Sequence, residues 1–596
     1  MVGIDDDTKK RLGRKLRRRR TDATVLSRQA DQQIEKLLIR RFEHLSSVRR
    51  FVSLWILLFL VLTLAGVYQI RALSNYYQSL QPVPGGLYTE GLIGNFTDAN
   101  PLYASGAADT AVSRLVFSGL FKYNTSNQLV GDLAKSYSLS DDQKRYTVHL
   151  KQGLSWHDGQ PFTADDVVFT YKTIQNIEAQ SPLYSSYQGI RVSKVNNYTV
   201  NFDLPDPLSD FPESLVNGII PYHLLKDVPA PQLRSAPFNT TPVGTGPFEW
   251  KFIEVTGNSS DSREQRISLA AFNGYQAGPP KLDGFNIITF SGQDQMVAAF
   301  KQKQIGAMSG LVNEPDELLA DKSVQVYSTP LTTEVMAFFN NSQPIFSDAS
   351  VRRALVEGVD RRQINNLFEQ PVQLADSPLL KGQLGYDPSL VEPAYNLGDA
   401  NQLLDQAGWA RGSDGTRSKN GQSLAFTLSA QDTPDYTKVA QFLQSQWDKL
   451  GVKVKIQYFD LEDLQTSVIS NHDYDALLYG INIGVDPDVF AYWDSSQASI
   501  TSQGHLNLSE YKSSVADQAI EAGRTRSDPA IRAVKYKAFL TQWTKDLPAL
   551  VLYQPNYIYI TRGAVFNYER KSANAGVDRY YNVNNWEVRQ KRQTIK

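Results

Sequence analysis

Residues 115–174 read LVFSGLFKYNTSNQLVGDLAKSYSLSDDQKRYTVHLKQGLSWHDGQPFTADDVVFTYKTI. Few folds accommodate that order of signals. Tyr137 and Leu139, then Tyr146, Val148 and Leu150, alternate with polar residues, the period of a half-buried strand. The polar run 141–144 lies between them and predicts a hairpin. Trp156-His157-Asp158-Gly159 ends on an Asp-Gly pair, where glycine supplies positive φ for a turn. Thr163 then opens a helix. Its hydroxyl is expected to take the amide of Asp166, whose carboxylate reaches back to form a capping box. Phe162 and Val167 fall where a hydrophobic staple sits. Asp165 and Asp166 suit the positive end of the helix dipole.

Taken in that order, the hairpin, the Trp-His-Asp-Gly turn and the Phe-Thr-Ala-Asp-Asp-Val-Val-Phe helix start resemble a known signature. It is that of the large extracytoplasmic solute-binding proteins of ABC importers, the oligopeptide-, dipeptide- and nickel-binding family. Other stretches resemble the same family: Asn100-Pro101 after the first strand, PVGTGPF at 242–248, SDASVRRAL at 347–355 with VDR at 359–361, and NQLLDQAGW at 401–409. Asp486-Pro487 with Phe490, and DLPALVLY at 546–553, extend the likeness, which covers about 87–585.

The resemblance implies an α/β fold of two lobes, periplasmic-binding-protein-like, of class II and the large peptide-binding type, with a transmembrane helix ahead of it. Lobe 1 is expected over 87–331 plus 548–596, with a subdomain at about 131–241, and lobe 2 over 332–547. Two strands crossing between the lobes would act as a hinge. It implies ligand contacts from Tyr479, Asn482, Asp486, Asn100 and Asn340. One departure stands out. Peptide-binding relatives often carry an acidic residue four positions before this loop's proline, to hold the peptide ammonium, and here that position is Ile483. A desolvated ammonium without a carboxylate is costly. Either Asp486 or a residue elsewhere substitutes, or the ligand is not held by its amine, and Asn482 is a neutral hydrogen-bonding candidate.

Residues 51–70, FVSLWILLFLVLTLAGVYQI, hold no charge and are long enough to span a bilayer as a helix. Residues 1–50 carry 15 Lys/Arg against 7 Asp/Glu, leaving 46 against 55 for the rest. The positive-inside rule then places a basic tail, 1–50, in the cytoplasm and the remainder outside, beyond a linker at 71–86. A single-pass signal anchor in the cell membrane is expected, since about 50 residues ahead of the apolar run are too many for a cleavable signal peptide. Helical spacing over 25–48 (Ile34, Leu37, Leu38, Phe42, Leu45) suits either an amphipathic helix on the inner leaflet or one continuing into the span. The chain has no cysteine, which excludes disulfides, thiolate chemistry and an anchoring lipidated cysteine.

An acidic ectodomain argues against nucleic acid as a partner. The six histidines show no metal-ligand spacing, and Trp156-His157-Asp158 reads as a turn with no serine nucleophile in an elbow motif. No catalytic residue, metal or cofactor is therefore expected. The function that follows from the resemblance is capture of a short peptide or similar solute and its delivery to an ABC permease. Alternatives are a metal chelate, an opine-like compound or an oligosaccharide in the same fold, a ligand sensor or scaffold uncoupled from transport, and an extracellular hydrolase.

Overall fold

The computed structural model describes residues 49–594, except 258, 260–262, 312–317, 319, 503 and 571. The tail at 1–48, with its expected amphipathic helix, lies outside the described residues. The chain divides into one unit of residues 1–81 and 590–596 and a second of residues 82–589.

In the first unit a helix runs Arg49–Tyr77. Its stretch Phe51–Leu73 has a mean hydropathy of 2.4 and none of it is buried. At 1.5 Å per residue it is long and apolar enough to cross a membrane. The segment expected as a linker, 71–86, instead holds the end of this helix and a strand, Gln78–Val83, paired with Arg589–Thr594. Between Gly66 and Pro82 no glycine or proline interrupts regular backbone.

The second unit is built on two large sheets. One has seven strands in the order Val324–Pro330, Asn556–Arg562, Ala307–Ser309, Leu87–Ile93, Gly284–Phe290, Glu264–Ala271 and Phe248–Thr256. Leu87–Ile93 runs parallel to both neighbours. The other has six strands: Gln373–Leu374, Ala549–Gln554, Thr333–Phe339, Ala476–Asn482, Ala425–Gln431 and Lys453–Phe459. A separate four-stranded antiparallel sheet contains Ala134–Leu139 and Arg145–Leu150, the hairpin expected from alternation. Alternation is kept in the second of these strands, with Tyr146, Val148 and Leu150 buried. Most of the first strand is exposed, and Tyr137 covers its sheet by packing on Phe121 and Tyr146.

Each large sheet has its own core. Every residue of the core on the six-stranded sheet lies between Val335 and Tyr553, with Trp447, Trp493 and Trp543 fully buried in it. The core on the seven-stranded sheet draws on residues between Tyr88 and Ala307 and again on Tyr559–Trp586. The chain therefore passes twice between the two bodies: at 331–332, from strand Val324–Pro330 into Thr333–Phe339, and at Pro555, from Ala549–Gln554 into Asn556–Arg562. The two-lobed α/β expectation holds.

The opening stretch folds as its spacing predicts, with one adjustment. The Thr163 hydroxyl takes the amide of Asp165 at 3.3 Å, and the Asp166 carboxylate takes the Thr163 amide at 2.8 Å. Asp166 also accepts from the Tyr222 amide at 2.9 Å, so the cap ties two helices together. The PVGTGPF loop locks the Trp-His-Asp-Gly turn: the His157 amide donates to the Gly244 carbonyl at 2.9 Å. A Cβ at Gly244 would fall 1.9 Å from the Val116 carbonyl oxygen, so no larger residue fits there.

Candidate functional site

The two passages lie side by side. The Leu331 amide donates to the Pro555 carbonyl at 2.9 Å, and Gln554 Nε2 donates to the Leu331 carbonyl at 2.9 Å. Just beyond, the Thr332 carbonyl accepts from the Ile483 amide at 2.9 Å, so the strand end carrying Asn482 begins at the hinge. Thr332 Oγ1 lies 3.0 Å from the Asn482 amide oxygen and 2.9 Å from that of Asn574. Asn127 Nδ2 donates to the same Asn574 oxygen at 2.9 Å. A polar chain, Asn127–Asn574–Thr332–Asn482, thus runs from lobe 1 across the hinge to lobe 2. Beside it is a basin of about 520 Å³ with Thr125, Tyr327, Thr329, Tyr568 and Arg570 in its wall. Arg570 is bound to this chain through Asn127 Oδ1 at 3.2 Å.

The residues expected to bind ligand separate into two groups. Asn482 is exposed at its strand end, and its amide nitrogen has no partner among the described residues. Tyr479, three residues earlier on the strand, is half-buried, and its hydroxyl accepts from Gln465 Nε2 at 3.3 Å. Asp486 lies on the following loop, bound to Arg532 by two contacts of 2.7 and 2.5 Å. These three lie on one strand of lobe 2 and the loop that follows it. Asn100 and Asn340 are fastened inside their own lobes. Asn100 donates to Asn239 Oδ1 at 3.0 Å and accepts from the Leu102 amide. Asn340 donates to the Tyr474 carbonyl and accepts from Ser342. It ends the strand that starts at Thr333, roughly 20 Å from the hinge. Both side chains are buried, and the bonds they make are local to their own lobes.

Beyond the hinge, the lobes also meet at a cluster of charges. From lobe 1, Asp210 caps the short helix Phe211–Ser214 and Glu213 lies within it. From lobe 2 come Asp486 and Asp488, with Arg524 and Arg532 behind them. Arg524 Nε is 3.1 Å from Asp488 and its guanidinium lies 4.2 Å above the Phe490 ring. The Ser209 amide donates to the Arg524 carbonyl at 2.9 Å, and the Ser527 amide to Gln143 Oε1 at 2.9 Å, so lobes 1 and 2 touch directly. Burial, then the charge of Asp486, pushes the Glu213 carboxyl up to about 7, although Tyr123 and the Asp486 amide donate to it. Burial, then Asp488 and Asp486, holds Asp210 well above the usual carboxylate range.

Residues 128–502 match the family described as bacterial extracellular solute-binding proteins, family 5, middle region. The oligopeptide-binding protein AppA of Bacillus subtilis strain 168 is 30% identical over 80% of this chain and 87% of its own. The chain is a family 5 extracellular solute-binding protein. Two solved structures share the fold of this family 5 protein. NikZ from Campylobacter jejuni, in complex with Ni(L-His), has a TM-score of 0.69 and 26% identity, covering 84% of this chain and 99% of that one. AppA from Bacillus subtilis, in complex with a nonapeptide, has a TM-score of 0.66 and 26% identity over 85% and 100%.

Three features of the family 5 protein's junction had faint sequence signals. Asn574 lies in an irregular loop, and nothing local marks it. Glu213 stands in FPES, an unremarkable surface pattern. Glu334 is the exception: it is a lone acid inside the otherwise uncharged strand TEVMAFF, and it is 1% exposed. A carboxyl within an apolar strand is the kind of signal that marks a site, because burial without a partner is costly.

Proposed function

We propose that this protein is the extracytoplasmic receptor of an ABC importer, tethered by the helix Arg49–Tyr77, and that it takes up short peptides between its lobes. The observation that carries this is the pair of adjacent strand passages, with an exposed Asn482 whose side-chain nitrogen has no partner among the described residues and a basin of about 520 Å³ at their edge. A cleft of that kind holds an extended peptide through its repeating N–H and C=O groups, which tolerates varied side chains. Tyr327 and Tyr568 offer rigid apolar faces with one polar tip each. The named relatives support the peptide class: one is called oligopeptide-binding, and one is solved with a nonapeptide. Lobes 1 and 2 are proposed to divide at the two passages, and closure to be stabilised by contacts that exist only with solute present. The permease is the proposed partner, and the cell membrane, with residues 1–48 cytoplasmic, the proposed location.

Mass spectrometry of compounds that co-purify with the full chain tests this. A ladder of short peptides is expected. A single non-peptide compound, such as a metal chelate, would overturn the peptide assignment and leave the receptor fold in place.

A further inference from the structure

Resting on the peptide-receptor function proposed above, we propose that Glu334, backed by Asp376, receives an ammonium group of the bound peptide. Glu334 lies two residues past Thr332 on the strand that leaves the hinge, and is paired in register with Ile481. Its side chain is 1% exposed and makes no hydrogen bond among the described residues; Oε2 is fully buried. Asp376 Oδ1 is likewise buried without a partner. Two facing acids of this kind destabilise the empty protein unless something cationic joins them.

The cations around the pair are Lys381 and Arg361, and Arg361, whose charge acts on Asp376, is itself paired with Glu392. Lys381 Nζ is 3.8 Å from Asp376 Oδ2 and donates to the Leu374 carbonyl at 3.2 Å, with nearly half its side chain in solvent. Tyr386 lies beside both acids. Lys381 thus pairs with Asp376 from the outside, acts on Glu334 through its charge alone, and makes no hydrogen bond or ion pair with it. Burial, then the neighbouring charge of Asp376, holds the Glu334 carboxyl well above the usual carboxylate range.

The pair is also linked to the strand end that carries Asn482. Gln383, seven residues after Asp376, donates to the carbonyls of Gly484 and Val485, each at 3.1 Å. The loop that holds Asp376 is therefore bonded to the loop that follows Asn482 and carries Asp486 to the lobe contact. Ile483 in that loop offers no charge, and Asp486 is already neutralised by Arg532. Among Glu334, Asp376 and Asp486, Glu334 is the one without an ion-pair partner among the described residues. An arriving ammonium would take the carboxylate form and displace its proton to solvent.

Three peptides of equal length separate the sources of the ammonium: one with a free amine and neutral side chains, its N-acetyl form, and an N-acetyl form containing lysine. Calorimetry on the full chain in detergent micelles is expected to show tighter binding of an ammonium-bearing peptide than of the N-acetyl neutral one. Glu334→Gln is expected to lower that affinity roughly 10- to 100-fold and to leave the N-acetyl neutral peptide unchanged. Titrations in two buffers of different ionisation enthalpy should show net proton release by the wild type and none by the variant. Asp376→Asn, at the surface of the pair, should give a smaller loss of the same sign even if Glu334→Gln fails to fold. Equal losses for all three peptides, no loss, or no wild-type preference would overturn the assignment. Wild type that binds none of them would instead remove the peptide function, and this site with it.

Discussion

Asp166 accepts from the Thr163 amide and the Tyr222 amide, and so carries more than a helix cap. Replacing Thr163 with Ala removes one hydroxyl acceptor and should lower stability by about 1 kcal/mol in urea unfolding. Asp166→Ala leaves two part-buried donors without a partner and should cost about 2 kcal/mol in the same assay. The spacing of Thr163 and Asp166 made this legible, because capping geometry is set within one turn of chain. Contacts that depend on distant residues were not legible. Asp486 is matched by Arg532, 46 residues on, and nothing near Asp-Pro-Asp announces a guanidinium. Asn100 and Asn340 show the converse: the motif identifies the residue, while three-dimensional placement binds it within its own lobe.

At the scale of elements, the helix Phe211–Ser214 and the 486–488 loop bring Asp210, Glu213, Asp486 and Asp488 together against Arg524 and Arg532, with Tyr123, Tyr146 and Tyr536 around them. Glu213 titrates near 7 with the lobes together, against 4.5 for the free side chain. The closed form therefore holds a proton that the open form gives up above 4.5. Its contribution to closure is complete below 4.5 and lost as the pH rises to about 7. Small-angle scattering of the full chain in micelles, between pH 5 and 8, should show opening with rising pH, and Glu213→Gln should flatten the curve. A profile unchanged by the variant would remove Glu213 from the mechanism. At the hinge, Asn482→Leu takes away the amide next to Thr332 and should weaken peptide binding with little change in melting temperature. A matching loss of stability would mean that Asn482 only secures the strand end.

For the molecule as a whole, most of the architecture of 82–589 could be read in advance. Strand alternation, glycine turns such as 244–246, and the Arg352–Arg353 helix belong to a recurrent family pattern spread along the chain. The lobe contact could not, because Gln143, Ser209, Arg524 and Ser527 meet only after both lobes have formed. The membrane tether was legible as an uncharged run; its continuation to Tyr77 was not, since residues 71–77 are too polar to signal a span. Removing residues 1–73 should shift the protein from the membrane pellet to the supernatant on fractionation. Retention in the pellet would mean that another part of the chain binds lipid. The paired passages at 331–332 and Pro555 have a mechanical corollary. Two neighbouring pins cross-linked by their own backbones allow a door to swing in one plane and resist wringing or sliding. A solute leaving this protein should therefore exit along a single arc, with the Thr332 end barely moving.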